Sequence, residues 1–152
     1  MAIMSEQPLQ PQPVIHSARL RLRPLAPEDA PRVRELAGAR EVSVLTSNIP
    51  HPYEPGMAER WIAIHLGHYT RGELATWAVT LSDETALCGA VSLHFDTPHN
   101  RAELSYWLGK DFWGQGYAAE AAGAAVCYAF ARRGLQKVTS SVFADNTRSV
   151  RV

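Results

Sequence analysis

The sequence predicts a single α/β domain of the α+β type, in which helices cover both faces of a mixed, mostly antiparallel central sheet. Three segments between residues 76 and 108 alternate apolar and polar side chains and are joined by short polar turns, which predicts an antiparallel meander. An alanine-rich helix and a further strand follow directly. A strand, a crossover helix and a strand imply parallel pairing of the two strands, so the sheet is mixed.

Composition is typical of a single globular domain. The chain has 152 residues, of which 46% are hydrophobic, and a domain of this size buries about 68–70% of its unfolded surface. The 15 basic and 15 acidic residues cancel, so no global field favours nucleic acid or an anionic membrane, and we expect neither as a partner. The apolar runs are too short to cross a bilayer.

The cysteines and histidines indicate neither a disulfide framework nor a metal site. Cys88 and Cys127 lie far apart inside predicted elements, which is typical of buried, reduced thiols in a cytoplasmic protein. His65 and His68 are three residues apart, but no carboxylate completes a metal-binding signature. We therefore expect a cytoplasmic protein without a bound metal.

The N-terminal half predicts a leader, one strand and two helices. Residues 1–17 carry three prolines and few apolar side chains, which predicts a flexible leader before a single domain over 18–152. Leucines alternate with arginines over 19–25, as in a half-buried strand. The helices are predicted over 27–38 and from 54–55 to Gly67 or Gly72, with an irregular segment over 42–55 between them.

The C-terminal half predicts four strands and the longest helix. The strands are expected over 76–81, 87–95, 102–108 and 137–143, and the helix over 115–133. In the strand over 102–108, Glu103, Ser105 and Trp107 point to one face and the apolar residues to the other. Val126 and Phe130 of the helix are expected to insert into the core.

A loop with two glycines joins the strand over 102–108 to this helix. Gly114 and Gly116 lack a Cβ, so a ligand can approach their backbone closely. The first N–H groups of a helix have no partner within it, and the helix dipole adds about half a positive charge there. The junction predicts a cradle for phosphate or pyrophosphate, although it is also compatible with a simple turn.

The run Trp113-Gly114-Gln115-Gly116-Tyr117-Ala118 resembles the acetyl-CoA loop of the GNAT superfamily of N-acetyltransferases. The family pattern is Arg or Gln, any two residues, Gly, any residue, and then Gly or Ala. With Glu120 and Ala121, the run looks most like the branch that acetylates the N-termini of ribosomal proteins. Trp113 departs from the first position of the pattern but leaves the backbone cradle intact. Further segments that resemble the family lie at 20–25, 87–93 and 146–149.

The resemblance implies acetyl-CoA as co-substrate and direct acetyl transfer, in a ternary complex, to the primary amine of a protein N-terminus or a small molecule. It implies that the strands over 102–108 and 137–143 splay at the cofactor site. The family's C-terminal helix and strands are expected to be absent from this chain, and a homodimer is common for the fold. The residues expected to bind the cofactor are Tyr106, Trp107, Leu108, Trp113, Gly114, Gln115, Gly116, Tyr117, Ala118, Ala119, Asn146 and Ser149.

Acetyl transfer needs a base for the amine proton and a donor for the carbonyl oxygen. Glu103 is the first candidate base, because burial makes a carboxylate more basic, and it can equally be a cross-strand partner for a basic residue. Ser105 and His94 are further candidates on the polar strand faces. In the family the oxygen is bound by a backbone N–H at a strand bulge, and Leu108 is its expected position here.

Other interpretations remain open at this stage. Glu120 is expected to be structural, tethering the strand over 102–108 or the arginines over 19–23. The segment over 47–53 is either one wall of the acceptor site, as the resemblance implies, or a surface loop. A non-catalytic GNAT-like module that binds CoA or a protein partner is the main alternative function. A different nucleotide-binding fold lacks support, because the chain contains no Gly-x-Gly-x-x-Gly or phosphate-binding-loop motif.

Overall fold

The computed structural model of the chain describes residues 11–44, 49–141 and 152. It contains one six-stranded sheet in which the strands follow the order of the chain. The strands are β1 (Ile15–His16), β2 (Leu20–Pro24), β3 (Leu74–Leu81), β4 (Leu87–Asp96), β5 (Arg101–Leu108) and β6 (Lys137–Ser140). Neighbours from β1 to β5 are antiparallel, and β5 and β6 are parallel, which confirms the predicted mixed sheet.

The predicted leader is wrong for its last residues, because the segment over 12–17 is attached to the sheet. β1 pairs with β2 in antiparallel register. The Gln12 side chain donates to the Thr76 carbonyl oxygen at 2.8 Å, and Trp77 Nε1 donates to the Pro13 carbonyl oxygen at 2.9 Å. Proline lacks a backbone donor but keeps its carbonyl. A proline-rich segment can therefore still accept hydrogen bonds from the sheet.

Helices cover both faces of the sheet, as predicted. Within the described residues they are α1 (Ala30–Ala37), α2 (Arg40–Ser43), α3 (Met57–Thr70) and α4 (Tyr117–Ala131), with 3-10 turns at Pro27–Asp29, Thr97–His99 and Lys110–Phe112. α4 packs on one face of the sheet, and α1 and α3 pack on the other. The ends of the predicted helices shift by a few residues, and the short α2 begins before the segment predicted to be irregular and overlaps only its first two residues.

The core under α4 combines large strand side chains with a helix face made mostly of alanine. Trp77 is 0% exposed, and its ring meets that of Tyr128 edge-on with centroids 5.0 Å apart. The expected insertion of Phe130 is wrong, because this side chain is 45% exposed, and Val126 is only partly buried. Both lie outside the inward stripe of the helix, whose buried alanines are Ala121, Ala122, Ala125 and Ala129.

β5 leads from the antiparallel part of the sheet to the glycine loop. It pairs with β4 in unbroken register from Arg101 to Leu108, so the bulge expected at its end is absent from this pairing. The register shifts instead between β3 and β4, at Val79 and Thr80. β5 pairs with β6 only as far as Leu104 and Ser140. The second half of β5 therefore extends past β6, and the expected splay involves residues beyond 141 that lie outside the described part of the chain.

Candidate active site

The glycine loop presents backbone N–H groups that have no partner among the described residues. Gly114 and Gly116 adopt φ angles of +76° and +80°, and α4 begins at Tyr117 with Gly116 as its N-cap. The first backbone hydrogen bond of the helix reaches the Gly116 carbonyl oxygen at 3.1 Å. The N–H groups of Tyr117, Ala118 and Ala119 therefore remain free within this part of the chain. Such groups at a helix N-terminus attract anions.

The two glycines differ in the space around them. A Cβ atom on Gly114 would meet no other atom within 4 Å. A Cβ atom on Gly116 would lie 3.2 Å from Nη2 of Arg19. The open side of the loop is therefore at Gly114, whereas Gly116 is covered by an arginine from the turn between β1 and β2.

Trp113 fixes the loop to the end of β5. Its indole Nε1 donates to the Leu108 carbonyl oxygen at 3.0 Å. The Gln115 side chain donates to the Asp111 carbonyl oxygen at 3.3 Å, which closes the turn before the glycines. Trp113 departs from the family pattern at the first motif position, but its side chain binds the backbone of β5. The loop is therefore supported by Trp113.

Glu120 ties the start of α4 to the turn before β2. One carboxylate oxygen accepts from the Ser17 hydroxyl at 2.5 Å and from the Arg19 backbone N–H at 2.8 Å, and the other accepts from Arg19 Nε at 2.8 Å. Arg19 also donates to the Gln115 carbonyl oxygen at 2.8 Å and lies 4.6 Å from the centroid of the Tyr117 ring. The expected structural tether from Glu120 to the arginines of this region is confirmed.

The last residues of β5 carry backbone groups that point away from β4. The Gly109 N–H donates to β4 at 2.8 Å, and hydrogen bonds alternate along an antiparallel pair. The backbone of Trp107 therefore faces β4, and the backbones of Tyr106 and Leu108 face the side of β6, where no strand of the described residues pairs with them. The Leu108 N–H, the expected oxyanion donor, lies on this open edge. Because the Trp107 backbone faces β4, only the Trp107 side chain can contact a cofactor at this edge.

A chain of buried polar groups crosses the opposite face of the sheet, beneath α3. Thr76 and Ser92 are 3% and 5% exposed, and their hydroxyl oxygens are 2.7 Å apart. His65 Nδ1 lies 2.6 Å from the Thr76 hydroxyl oxygen. Burial, together with smaller effects of the nearby His94 and His68, lowers the pKa of His65 to about 4. The imidazole of His65 is therefore neutral near pH 7.

Glu103, Ser105 and His94 lie on this same face. Ser105 faces Ser92 and Glu103 faces His94 in the register of β4 and β5, and the Ser105 hydroxyl oxygen is 3.5 Å from His94 Nε2. Glu103 is exposed, so the burial that favoured it as a base is absent. Partial desolvation lowers the pKa of His94, the Glu103 carboxylate opposes this effect, and His68 adds to it.

Aromatic side chains border these polar groups toward the glycine loop. Trp107 on β5 and Trp61 on α3 meet edge to face with ring centroids 6.4 Å apart, and the Trp61 and His65 ring centroids are 4.5 Å apart. Tyr53, Trp61 and Trp107 all pack against the apolar cluster that α1 and α3 form with the sheet. The expectation that 47–53 faces the substrate stays a prediction, because residues 45–48 lie outside the described part of the chain.

The remaining sequence-based expectations concern two further cofactor contacts, the two cysteines, a metal site and a membrane span. Asn146 and Ser149 lie outside the described residues, so their contact with the cofactor stays a prediction. Cys88 is buried, but Cys127 is exposed on the outer side of α4, where burial was expected. Among the residues that are described, no group of three or more His, Cys, Asp or Glu side chains could hold a metal ion. No helix in that part of the chain is long and apolar enough to cross a membrane.

Sequence reasoning missed the network of His65, Thr76 and Ser92. A signal for it exists, since Thr76 and Ser92 occupy polar positions of two strands predicted to form a hairpin. The hairpin register that pairs them depends on the irregularity between β3 and β4, which alternation alone does not reveal. His65 was placed on a helix and assigned no metal, but a bond to a buried hydroxyl group, which a histidine can equally form, was not predicted.

The sequence and fold match known proteins over most of the chain. Residues 19–152 match the acetyltransferase (GNAT) domain family. The uncharacterized N-acetyltransferase YoaA of Bacillus subtilis (strain 168) is 26% identical over 141 residues, which cover 92% of this chain and 79% of the relative. The putative ribosomal N-acetyltransferase YdaF of the same strain is 35% identical over 65 residues, 42% of this chain and 36% of that protein.

The fold also matches solved structures. RimL, a ribosomal L7/L12 alpha-N-protein acetyltransferase solved in complex with coenzyme A, superposes with a TM-score of 0.80 over 91% of this chain and 80% of its own, at 19% identity. This likeness shows a shared fold. Because the family match spans residues 19–152, the chain belongs to the GNAT acetyltransferase family.

Proposed function

We propose that the chain transfers the acetyl group of acetyl-CoA to a primary amine, directly and in a ternary complex. The observation that carries this proposal is the row of free N–H groups from Tyr117 to Ala119, directly after the open end of β5. Membership of the GNAT family and the relatives named as N-acetyltransferases support it.

The glycine loop suits the pyrophosphate of CoA. Its backbone donors and the positive end of the α4 dipole favour a doubly charged anion without a basic side chain from the motif itself. The open space at Gly114 admits the ligand close to the backbone. The proposed loop contacts are Gly114, Gln115, Gly116, Tyr117, Ala118 and Ala119, with Trp113 holding the loop in place.

The open edge of β5 suits the pantetheine arm and the thioester. An extended chain with amide groups can add to a strand edge through backbone hydrogen bonds. The proposed partners are the outward N–H groups of Tyr106 and Leu108 and the Tyr106 carbonyl group, because the Leu108 carbonyl oxygen already accepts from Trp113 Nε1. We propose that the Leu108 N–H stabilises the negative charge that develops on the thioester oxygen.

The acceptor amine approaches from the face beneath α3. The amine must be neutral to attack, so its proton passes to a base among the polar groups of β4 and β5, which include Glu103 and Ser105. The amine lone pair forms the C–N bond, and the C–S bond breaks with its electron pair going to sulfur. We propose a protein N-terminus or a small-molecule amine as acceptor, and the names of YdaF and RimL support the former.

We propose a cytoplasmic enzyme that acts without nucleic acid, membrane or bound metal. The balance of 15 basic and 15 acidic residues supports this view. A homodimer is the proposed assembly, and light scattering at several protein concentrations tests it. A monomer at all concentrations would contradict the dimer without affecting the chemistry.

Thermal-shift titration tests the cradle. We expect acetyl-CoA and CoA to stabilise the protein and ATP to leave it unchanged; a ligand at 100 times its Kd adds about 2.7 kcal/mol to the free energy of unfolding. Gly114→Asp should remove the CoA shift. The matched control is Gly72→Asp, because Gly72 has a φ of +72° and equally open space but lies outside the loop.

The pair of variants separates strain from ligand binding. Both substitutions force a non-glycine residue into a left-handed backbone conformation, so both should lower the melting temperature of the free protein similarly. Only the loop variant places a carboxylate beside the proposed pyrophosphate. A CoA shift that persists in folded Gly114→Asp would contradict the cradle.

Turnover separates an enzyme from a binding module. We expect free thiol to be released from acetyl-CoA in proportion to added amine, and intact mass to rise by one acetyl group on the acceptor. A panel of N-terminal tripeptides and alkylamines supplies the acceptors. CoA binding without thiol release with any of them would favour the non-catalytic module.

A further inference from the structure

His94 is the neutral imidazole nearest the proposed acceptor side of β5. It lies on β4 opposite Glu103, and its Nε2 is 3.5 Å from the Ser105 hydroxyl oxygen. Pairing of β5 with β6 ends at Leu104, so Ser105 is the first β5 residue past the paired segment. Ser105 therefore lies where the described pairing of β5 with β6 ends, and His94 lies beside it on β4. Such contacts are often long before substrate binds and shorten in the reactive complex.

We propose that His94 takes the proton from the acceptor amine, with Ser105 holding the imidazole and Glu103 stabilising the imidazolium ion that forms. This inference rests on the proposed acetyl transfer. It differs from the sequence-based assignment, in which Glu103 itself is the base. Glu103 is exposed, so it lacks the burial on which its assignment as the base depended.

The proton and electron balance of the step is simple. The acceptor ammonium ion gives one proton to the imidazole of His94, and the N–H electron pair remains on nitrogen as the nucleophilic lone pair. That lone pair forms the C–N bond, and the C–S bond breaks with its electrons going to sulfur. The second amine proton neutralises the CoA thiolate, and the imidazolium ion returns its proton to solvent.

The groups around His94 suit this role. Glu103 faces it from β5, His68 and His65 approach it from α3, and its β3 neighbour is the apolar Leu74. Desolvation lowers the pKa of His94, Glu103 raises it and His68 lowers it. The imidazole is thus neutral and ready to accept a proton near pH 7, and it remains solvent-accessible for an acceptor.

Rate against pH tests the assignment. kcat/KM is measured against pH with two acceptors, a tripeptide α-amine (pKa about 7.7–8.0) and an alkylamine (pKa about 10.4). If the fall of kcat/KM at low pH, the acidic limb, lies at the same pH with both acceptors, it reports a group of the enzyme and not the amine. We expect His94→Gln to lower kcat/KM by about 100-fold and to remove this limb. His99→Gln is the matched control, since His99 is 68% exposed and belongs to the turn before β5.

Glu103→Gln separates the two candidate bases. If His94 is the base, removing the carboxylate that raises its pKa moves the acidic limb to lower pH, with a smaller loss of kcat/KM than in His94→Gln. A wild-type rate in folded, CoA-binding His94→Gln would overturn the assignment. So would loss of the limb in Glu103→Gln alone. A wild type that releases no thiol with any acceptor overturns the proposed function itself, and this inference with it.

Discussion

The two faces of the sheet are both buried, yet they are built from different chemistry. Under α4 the deeply buried side chains are apolar, and Trp77, Leu20 and Leu22 are 0% exposed. Under α1 and α3, two of the strand side chains at equal depth are threonines, with Thr80 at 0% and Thr76 at 3% exposure. The hydroxyl groups there are all paired, since Thr80 donates to a carbonyl oxygen of β2 at 2.9 Å and Thr76 bonds to Ser92.

This difference separates stability from function. Apolar burial contributes to stability without fixing a direction, whereas burying a hydroxyl group without a hydrogen-bond partner costs free energy. The polar face therefore holds its side chains in defined positions, and it leads to Ser105 and His94 at the edge of β5. We infer that α4 and its face serve as the platform, and that the face beneath α3 serves the acceptor.

Truncation on the apolar face should give the largest effect on stability. Trp77→Ala removes a fully buried indole, its hydrogen bond to Pro13 and its ring contact with Tyr128. We expect the free energy of unfolding to fall by about 3–5 kcal/mol in urea denaturation. Phe130→Ala is the control, because Phe130 is 45% exposed. A loss in Phe130→Ala as large as in Trp77→Ala would show that the α4 face is not the main core.

A smaller loss is expected on the polar face. Thr76→Val keeps the side-chain shape but leaves His65 Nδ1 and the Ser92 hydroxyl group without their partner. We expect about 1–3 kcal/mol of destabilisation, the penalty for unsatisfied buried polar groups. Exposed Thr85 supplies the control substitution Thr85→Val. If Thr76→Val were neutral or stabilising, the chain of polar groups would not be a structural requirement.

The sequence predicts those features of the two sheet faces that depend on residues close together in the chain. Alternation along 102–108 predicted correctly that Glu103, Ser105 and Trp107 share a face, because side chains alternate with a period of two in any strand. The glycine loop and the alanine stripe of α4 were also predicted, since each depends on neighbours along the chain. These local features fix the position of the proposed cofactor loop.

Features that depend on contacts between distant segments were not predicted. The attachment of residues 12–13 to β3 depends on a side-chain donor of Gln12 and the carbonyl oxygen of Pro13, which find their partners only once the sheet exists. The exposure of Phe130 follows from which stripe of α4 faces the sheet, and an alanine-rich helix gives a weak amphipathic signal. The contact between Arg19 and the glycine loop joins segments that are far apart in sequence.

Acidification should weaken the fold through the polar face. The pKa of His65 is about 4 in the folded protein, against 6.5 for an unperturbed histidine. Between these values the unfolded chain binds a proton that the folded protein does not, so stability should fall as the pH drops from about 6.5 toward 4. Melting temperature against pH measures this, with His65→Gln for comparison. An equal decline in His65→Gln would assign the effect to other groups.

The smallest effect on stability is expected where the polar face reaches the edge of β5. Ser105 is half-buried and lies 3.5 Å from His94, so Ser105→Ala should change the free energy of unfolding by less than about 0.5 kcal/mol. We expect Ser105→Ala to lower kcat/KM by about 2- to 10-fold. This loss corresponds to one hydrogen bond of about 0.5–1.5 kcal/mol. Ser92→Ala should show the reverse, with a greater loss of stability than Ser105→Ala, because Ser92 is buried in the chain of polar groups. Equal profiles for the two variants would remove the distinction between the structural and the functional end of this face.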